Sequence, residues 1–251
     1  MRDVLEFEPP TGEGRSEMTG SADGSGPMFD RIARRYDLLN RLMTGGMDRR
    51  WRRRLVHALA VPPWGQVLDV ATGTADVPLA LTRLRPDVQV VGLDPSSEML
   101  RVGQEKVLAA GRGDSIVLEQ GDAQVLPYAD GAFHAASISF GIRNVPDRLR
   151  ALREMVRVCR PGGRVVVLEL GDPPRGLLSP IVRWYVHRVV PNLGAIISGA
   201  PEYRYLERSI AAFPPAPEFA AMMAQAGLIK VAFRRLSFGA VNLYWGEVAP
   251  A

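Results

Sequence analysis

Three carboxylates recur at the ends of short apolar runs: Asp69 in Val67-Leu68-Asp69-Val70, Asp94 after Val90-Val91-Gly92-Leu93, and Asp122 in Gly121-Asp122-Ala123. Each run has the length and apolar character of a buried strand. Each carboxylate therefore stands where a strand gives way to a turn, the place where open α/β sheets bind ligands. The first turn reads Asp69-Val70-Ala71-Thr72-Gly73-Thr74-Ala75-Asp76. A dinucleotide-binding turn would hold three glycines in G-x-G-x-x-G, letting the backbone approach a pyrophosphate. This turn has one, Gly73, and Asp76 would repel a phosphate at the helix start. S-adenosylmethionine (SAM) carries no phosphate. It has a sulfonium, an ammonium and a carboxylate. Asp69 and Asp76 favour the cationic groups, and N–H groups around Gly73-Thr74 suit the carboxylate. Taken alone, the same residues also read as a tight turn with a charged helix start.

Asp94 follows the first by one strand-helix-strand unit, the spacing at which a carboxylate accepts bonds from both ribose hydroxyls. The alternative is a helix-capping aspartate before Pro95-Ser96. Asp122 suits an adenine amino group, and the Ala123 N–H suits a ring nitrogen. The alternative there is a polar loop. The three turns in succession carry more than any one of them.

The elements that must position these turns follow from periodicity. Strands are expected over Gln66–Val70, Val88–Leu93, Ser115–Glu119, Phe133–Ser139 and Arg164–Leu170, the last entered by a Pro161-Gly162-Gly163 turn. Helices are expected over Val77–Leu84, Ser96–Ala110 and Arg148–Val158. This alternation predicts an α/β fold, a Rossmann-like, mostly parallel seven-stranded sheet with helices on both faces. A helix over Glu218–Ala226 precedes strands at Lys230–Leu236 and Val241–Glu247, which should form an antiparallel C-terminal hairpin. Ahead of the sheet, residues 28–60 read as a helical cap interrupted at Gly45-Gly46. Residues 1–27 read as a flexible tail, and 177–210 as a helical lid insertion bent at Pro180, Pro191 and Pro201. The whole of 28–251 is expected to be one catalytic domain.

Composition narrows the classes. The 251 residues are 47% hydrophobic, enough for one sizeable core. No apolar run is long enough to span a bilayer, and no signal-peptide core opens the chain. Cys159 is the single cysteine, and no Cys/His cluster has metal-site spacing. The simplest expectation is a cytoplasmic, metal-free protein. The net charge is +4, and arginine is densest in Arg49-Arg50-Trp51-Arg52-Arg53-Arg54. That run reads as a solvated helix face, an anionic-membrane contact or a nucleic-acid contact.

Further runs carry a family resemblance. Phe29-Asp30-Arg31-Ile32-Ala33 through Tyr36-Asp37-Leu38-Leu39-Asn40, Trp51-Arg52, Ser137 to Val145 (Ser-Ile-Ser-Phe-Gly-Ile-Arg-Asn-Val), Arg160-Pro161-Gly162-Gly163-Arg164 and Tyr203-Arg204-Tyr205-Leu206 resemble the UbiE/MenG family of ubiquinone/menaquinone-biosynthesis C-methyltransferases. The similarity runs from about Phe29 to Gly246. It implies a class I methyltransferase with SAM contacts at Thr74, Asp94, Asp122, Ala123 and Ser139. It also implies methylation of a ring carbon on a reduced quinone bearing a polyprenyl tail. Arg143 and Asn144 are the expected catalytic pair. Arg143, which stays protonated, would stabilise a phenolate or polarise a water, and Asn144 would orient the hydroxyl. The alternative is that Arg143 braces its loop by pairing with a carboxylate.

Departures from the family pattern fall at Thr72 and Ala75, at Arg208, Ala211 and Phe213-Pro214-Pro215-Ala216, and at Asn242, Tyr244 and Trp245. They keep open another phenolic or polyketide acceptor, and a non-catalytic, membrane-associated subunit of a quinone-biosynthesis assembly. No nucleic-acid partner is expected, since Asp172-Pro173-Pro174-Arg175 follows the fifth strand and lacks a stacking aromatic. Peripheral contact with the inner face of a membrane is expected through the insertion and the arginine-rich helix, and a homodimer is left open. Of the three histidines, His57, His134 and His187, none is required by the family pattern.

Overall fold

The computed structural model describes residues 26–171, 209–210 and 212–250. The expected insertion over 177–210 and the expected tail over 1–27 lie outside the described residues, apart from Ser209, Ile210 and the Gly26-Pro27 pair that opens the first helix. Seven strands form one sheet in the order β3-β2-β1-β4-β5-β7-β6. They are β1 (Gln66–Val70), β2 (Gln89–Asp94), β3 (Ile116–Gln120), β4 (Phe133–Ser139), β5 (Cys159–Leu170), β6 (Leu228–Leu236) and β7 (Val241–Val248). The first five run parallel. β7 is antiparallel to both β5 and β6, as expected for a C-terminal hairpin.

Side chains of the parallel strands alternate between two apolar faces, the pattern of a sheet covered on both sides. Leu68, Val70, Ala136, Ile138, Val165 and Val167 face one core. That core is closed by α5 (Arg148–Val158) and α6 (Ala216–Gln225). Val67, Val90, Ala135, Val166 and Leu168 face the other. It is closed by α2 (Asp48–Ala58), α3 (Asp76–Leu84) and Val107 of α4 (Ser97–Ala109). α1 (Gly26–Thr44) precedes these and packs on α4. Gly45 and Gly46, at φ 56° and 77°, end it with left-handed backbone, where the sequence places the break.

β5 begins earlier than the expected Arg164. Cys159 pairs with Phe133 and Arg164 with Ala135, so Arg160–Gly163 is looped out between them. The expected Pro161-Gly162-Gly163 turn is that loop, with Gly162 at φ 76°. The order of strands reverses between β1 and β4. At such a switch point the connections leave toward opposite faces and open a crevice beyond the strand ends.

Candidate active site

That crevice is lined by Tyr36, Arg52, Asp69, Ala71–Thr74, Asp76, Val77, Ser139 and Phe140. β1 carries Asp69 into it almost without solvent contact. Two hydroxyls hold the carboxylate: Thr72 Oγ1 donates at 2.8 Å and Ser137 Oγ at 2.6 Å. Burial pushes the Asp69 carboxyl up to about 7, against the pull of those hydroxyls and of Arg52. The turn after β1 is strongly curved, with left-handed backbone at Ala71, Gly73 and Ala75. Gly73 has open space where a Cβ would stand. The two departures from the family pattern are absorbed: Thr72 bonds Asp69, and Ala75 takes the left-handed conformation itself.

Asp94 ends β2 beside this turn. Its Oδ2 accepts from Gly73 N at 2.8 Å and its Oδ1 from Ser96 N at 2.9 Å. Burial raises its carboxyl to about 6. The two backbone donors oppose that shift, and the nearby Asp30 carboxylate adds to it. The Gly73 N–H expected for a methionyl carboxylate is thus engaged by Asp94. Ser96 caps α4, accepting from Met99 N at 3.1 Å. The Gly121 N–H donates to the Asp94 carbonyl at 3.1 Å, so Gly121-Asp122-Ala123 lies against the end of β2. Asp122 is half-buried and closes its own turn through Gln124 N at 2.9 Å. Ala123 is buried.

Asp76 differs from the expectation. It is held by Arg52 at 3.1 Å and by Lys106 at 2.6 Å. Burial works against its charge, and the two cations outweigh burial and hold it below the ordinary carboxylate range. Lys106 also reaches Asp37 Oδ2 at 2.6 Å and Thr74 Oγ1 at 3.0 Å, while Thr74 Oγ1 donates to Asp37 Oδ1 at 2.6 Å. One ammonium therefore ties α1, the first turn, α3 and α4 together. A second clasp joins α1 to α4, with Ser96 Oγ donating to Asp30 at 2.5 Å.

Arg143 and Asn144 sit in a short 3-10 turn over Ile142–Asn144, just beyond β4. A Cβ on Gly141 would come within 2.5 Å of Ala71 Cβ, so glycine lets this turn press against the first. Arg143 Nη1 donates to Glu169 Oε1 and to the Phe140 carbonyl, both at 2.7 Å. Glu169 is fully buried. The loop-bracing role is therefore present in the structure. The Arg143 Nε is buried without a hydrogen-bond partner.

The described histidines stand away from the crevice. His134 Nδ1 accepts from Gln66 N at 3.0 Å at the opposite end of the strands, and His57 is exposed. His187, Tyr203 and Tyr205 lie outside the described residues.

Five residues of the site escape a reading of spacing alone: Tyr36, Asp37, Arg52, Lys106 and Phe140. Tyr36 is half-buried in the crevice lining, and its desolvation raises its hydroxyl pKa. Arg52 was grouped with its exposed neighbours. Its burial is legible in helical spacing, because it shares a stripe with Asp48, Leu55 and Val56.

The residues fit SAM on two observations. The first two turns present the carboxylates of Asp69 and Asp94, acceptors that match a cation and a diol. Ser139 Oγ is buried without a partner while its residue lines the crevice, leaving one polar group free for a ligand.

Residues 19–247 match the ubiE/COQ5 methyltransferase family. The chain belongs to that family. It is 48% identical over 221 residues to a Ubiquinone/menaquinone biosynthesis C-methyltransferase UbiE of Syntrophotalea carbinolica, covering 88% of this chain and 92% of the relative. It is 45% identical to a Demethylmenaquinone methyltransferase of Thermus thermophilus, covering 88% and 99%. Among solved structures, a putative SAM-dependent methyltransferase of Methanococcus maripaludis superposes with a TM-score of 0.65 at 15% identity, covering 95% of this chain and 98% of that one. A putative methyltransferase in complex with Trm112 from Haloferax volcanii gives 0.64 at 20%, covering 92% and 100%. These likenesses show the class I methyltransferase fold. The chain is a SAM-dependent methyltransferase, and SAM is its cofactor.

Proposed function

We propose that this methyltransferase transfers a methyl group to a ring carbon of a lipid-tailed quinol in menaquinone or ubiquinone biosynthesis. The observation that carries the reading is the similarity over nearly the whole folded chain to relatives named for that chemistry.

SAM, when bound, supplies an electrophilic methyl group. Asp69 and Ser139 line the crevice where its amino acid half would lie. Asp94 would take the ribose, and Asp122 with Ala123 the adenine. At the acceptor, a quinol hydroxyl would give its proton to a water polarised by Arg143, and the ring carbon beside the phenolate would take the methyl as the methyl–sulfur bond breaks. Restoring aromaticity then releases the ring proton to water. Arg143 would hold the phenolate through its guanidinium face not used by Glu169, and Asn144 would orient the hydroxyl. Fixed charge aimed at a developing oxyanion is among the largest contributions a protein can make.

A phenolic acceptor of another kind is the second reading. Three of the departures stand together behind Arg143. Asn242 pairs with Glu169 across β5 and β7, and Phe219 meets Phe213 at a tilt and Tyr244 edge-on, with ring centroids 4.9 and 4.8 Å apart. Quinone profiling of a strain lacking the gene separates the two. The quinol reading expects a ring-demethylated quinone to accumulate and to vanish on complementation. An unchanged quinone pool would reject it.

A further inference from the structure

The turn between β6 and β7 holds Phe238 out in solvent at 69% exposure. Its backbone is left-handed, φ 57° and ψ 25°, as is that of Ser237 before it at φ 47°. Two successive residues with side chains in this region are strained, so the turn must be held from outside. Trp51 Nε1 of α2 donates to Ser237 Oγ at 2.9 Å, and that hydroxyl lies 3.8 Å from Met47 Sδ. Met47 is itself 44% exposed. The two apolar tips are therefore fixed beside one another by the same hydroxyl.

Cations surround them. Arg49, Arg50, Arg53 and Arg54 are exposed on α2, and Arg234 near the end of β6. The one acid of α2, Asp48, is buried and paired inward with Arg52. Arg234 pairs with Leu243, whose side chain packs in the core that α2 closes, so it stands on the same face of the sheet. The exposed side of α2 carries positive charge unrelieved by any carboxylate of its own.

We propose that this surface docks on an anionic bilayer, with Phe238 and Met47 entering the headgroup boundary and the arginines facing lipid phosphates. A tip of two apolar side chains within a basic ring has the chemistry of an interfacial anchor. It offers too little apolar area for a stable protein interface, and a nucleic-acid backbone gives Phe238 no apolar phase to enter. The turn leads directly into Val241, which pairs with Leu170 at the strand edge where the crevice opens. Docking there would present the crevice to the membrane. The proposal rests on the quinol reading only in supposing an acceptor that lives in the bilayer.

The test is co-sedimentation of the full chain with phosphatidylcholine vesicles, with and without phosphatidylglycerol. Binding is expected only with the anionic lipid and should weaken with salt. The Arg49→Gln/Arg50→Gln/Arg53→Gln triple variant should lower it roughly a hundredfold, and Phe238→Ser roughly tenfold. Both variants should methylate a short-tailed quinol in detergent-free solution as the parent does, showing an intact fold. Equal binding to neutral vesicles, or variants that bind as the parent does, would overturn the proposal. So would a dimer in sedimentation equilibrium that Phe238→Ser dissociates while no vesicle binding is seen. Vesicle binding without quinol methylation would leave this surface standing and reject the quinol reading instead.

Discussion

Arg143 on the turn after β4 and Glu169 near the end of β5 form a buried ion pair, Nη1 to Oε1 at 2.7 Å, beside the crevice. The Glu169 carboxylate has no solvent contact. Whatever Arg143 does toward an acceptor, it does from a position this carboxylate fixes.

Two roles of Arg143 can therefore be separated. Arg143→Ala leaves Glu169 buried without its cation and should cost about 3–5 kcal/mol of stability. Arg143→Met combined with Glu169→Met removes both charges and should recover most of that loss by thermal unfolding. Turnover should remain down by about a hundredfold or more in both variants. A double variant that turns over like the parent would remove Arg143 from the chemistry.

Lys106 serves two carboxylates and a hydroxyl on three other segments. Lys106→Met should loosen α1 over the first turn and weaken SAM binding roughly five- to tenfold, about 1 kcal/mol. Turnover at saturating SAM should stay near the parent value. Calorimetric titration and a kcat against KM comparison check this, and an unchanged SAM affinity would dismiss the clasp.

Asp94 has a carboxyl raised to about 6. It is ionised above that pH, and the ionised form is the better acceptor for two ribose hydroxyls. SAM affinity should therefore fall as pH drops through about 6, by up to about tenfold per unit, with proton release on binding near that pH. Asp94→Asn should bind weakly and lose this pH dependence. A parent affinity flat from about pH 7 to about pH 5 would contradict the assignment.

Asp69 gives a stability test. Its folded-state carboxyl, raised to about 7, lies well above the ordinary value of 3.8. The folded state thus binds the proton more tightly. The contribution is fully favourable below the ordinary value and is lost as pH rises through about 7. Asp69→Asn removes the cost of the buried charge. It should raise Tm near pH 8, by on the order of 3–4 kcal/mol in unfolding free energy, and the gain should vanish near pH 4. A pH-independent difference would show that burial does not set this group.

Much of this site was legible in the sequence because its acids end buried strands. Asp69, Asp94 and Asp122 follow short apolar runs, and period and length alone place them at one edge of a parallel sheet. Arg52 was not legible as a site residue while it was read with four exposed neighbours. Burial along a helix is decided by angular position rather than by charge density. Lys106 gave no local signal, since its partners stand 69 and 30 residues away and only the packing of α1 and α3 against α4 brings them in. The start of β5 was missed because Arg160–Gly163 looks like a turn in sequence and is one, inside a strand that has already begun.

The central claim is quinol C-methylation, and it has a direct assay. Purified protein is incubated with SAM and a reduced demethylmenaquinone in mixed vesicles, and the product is read by mass spectrometry and proton NMR. The expected product is a quinol bearing one added methyl on the ring carbon beside a hydroxyl, with S-adenosylhomocysteine formed in equal amount. A protein that binds SAM yet leaves the quinol unmethylated, or methylates its oxygen, would contradict it.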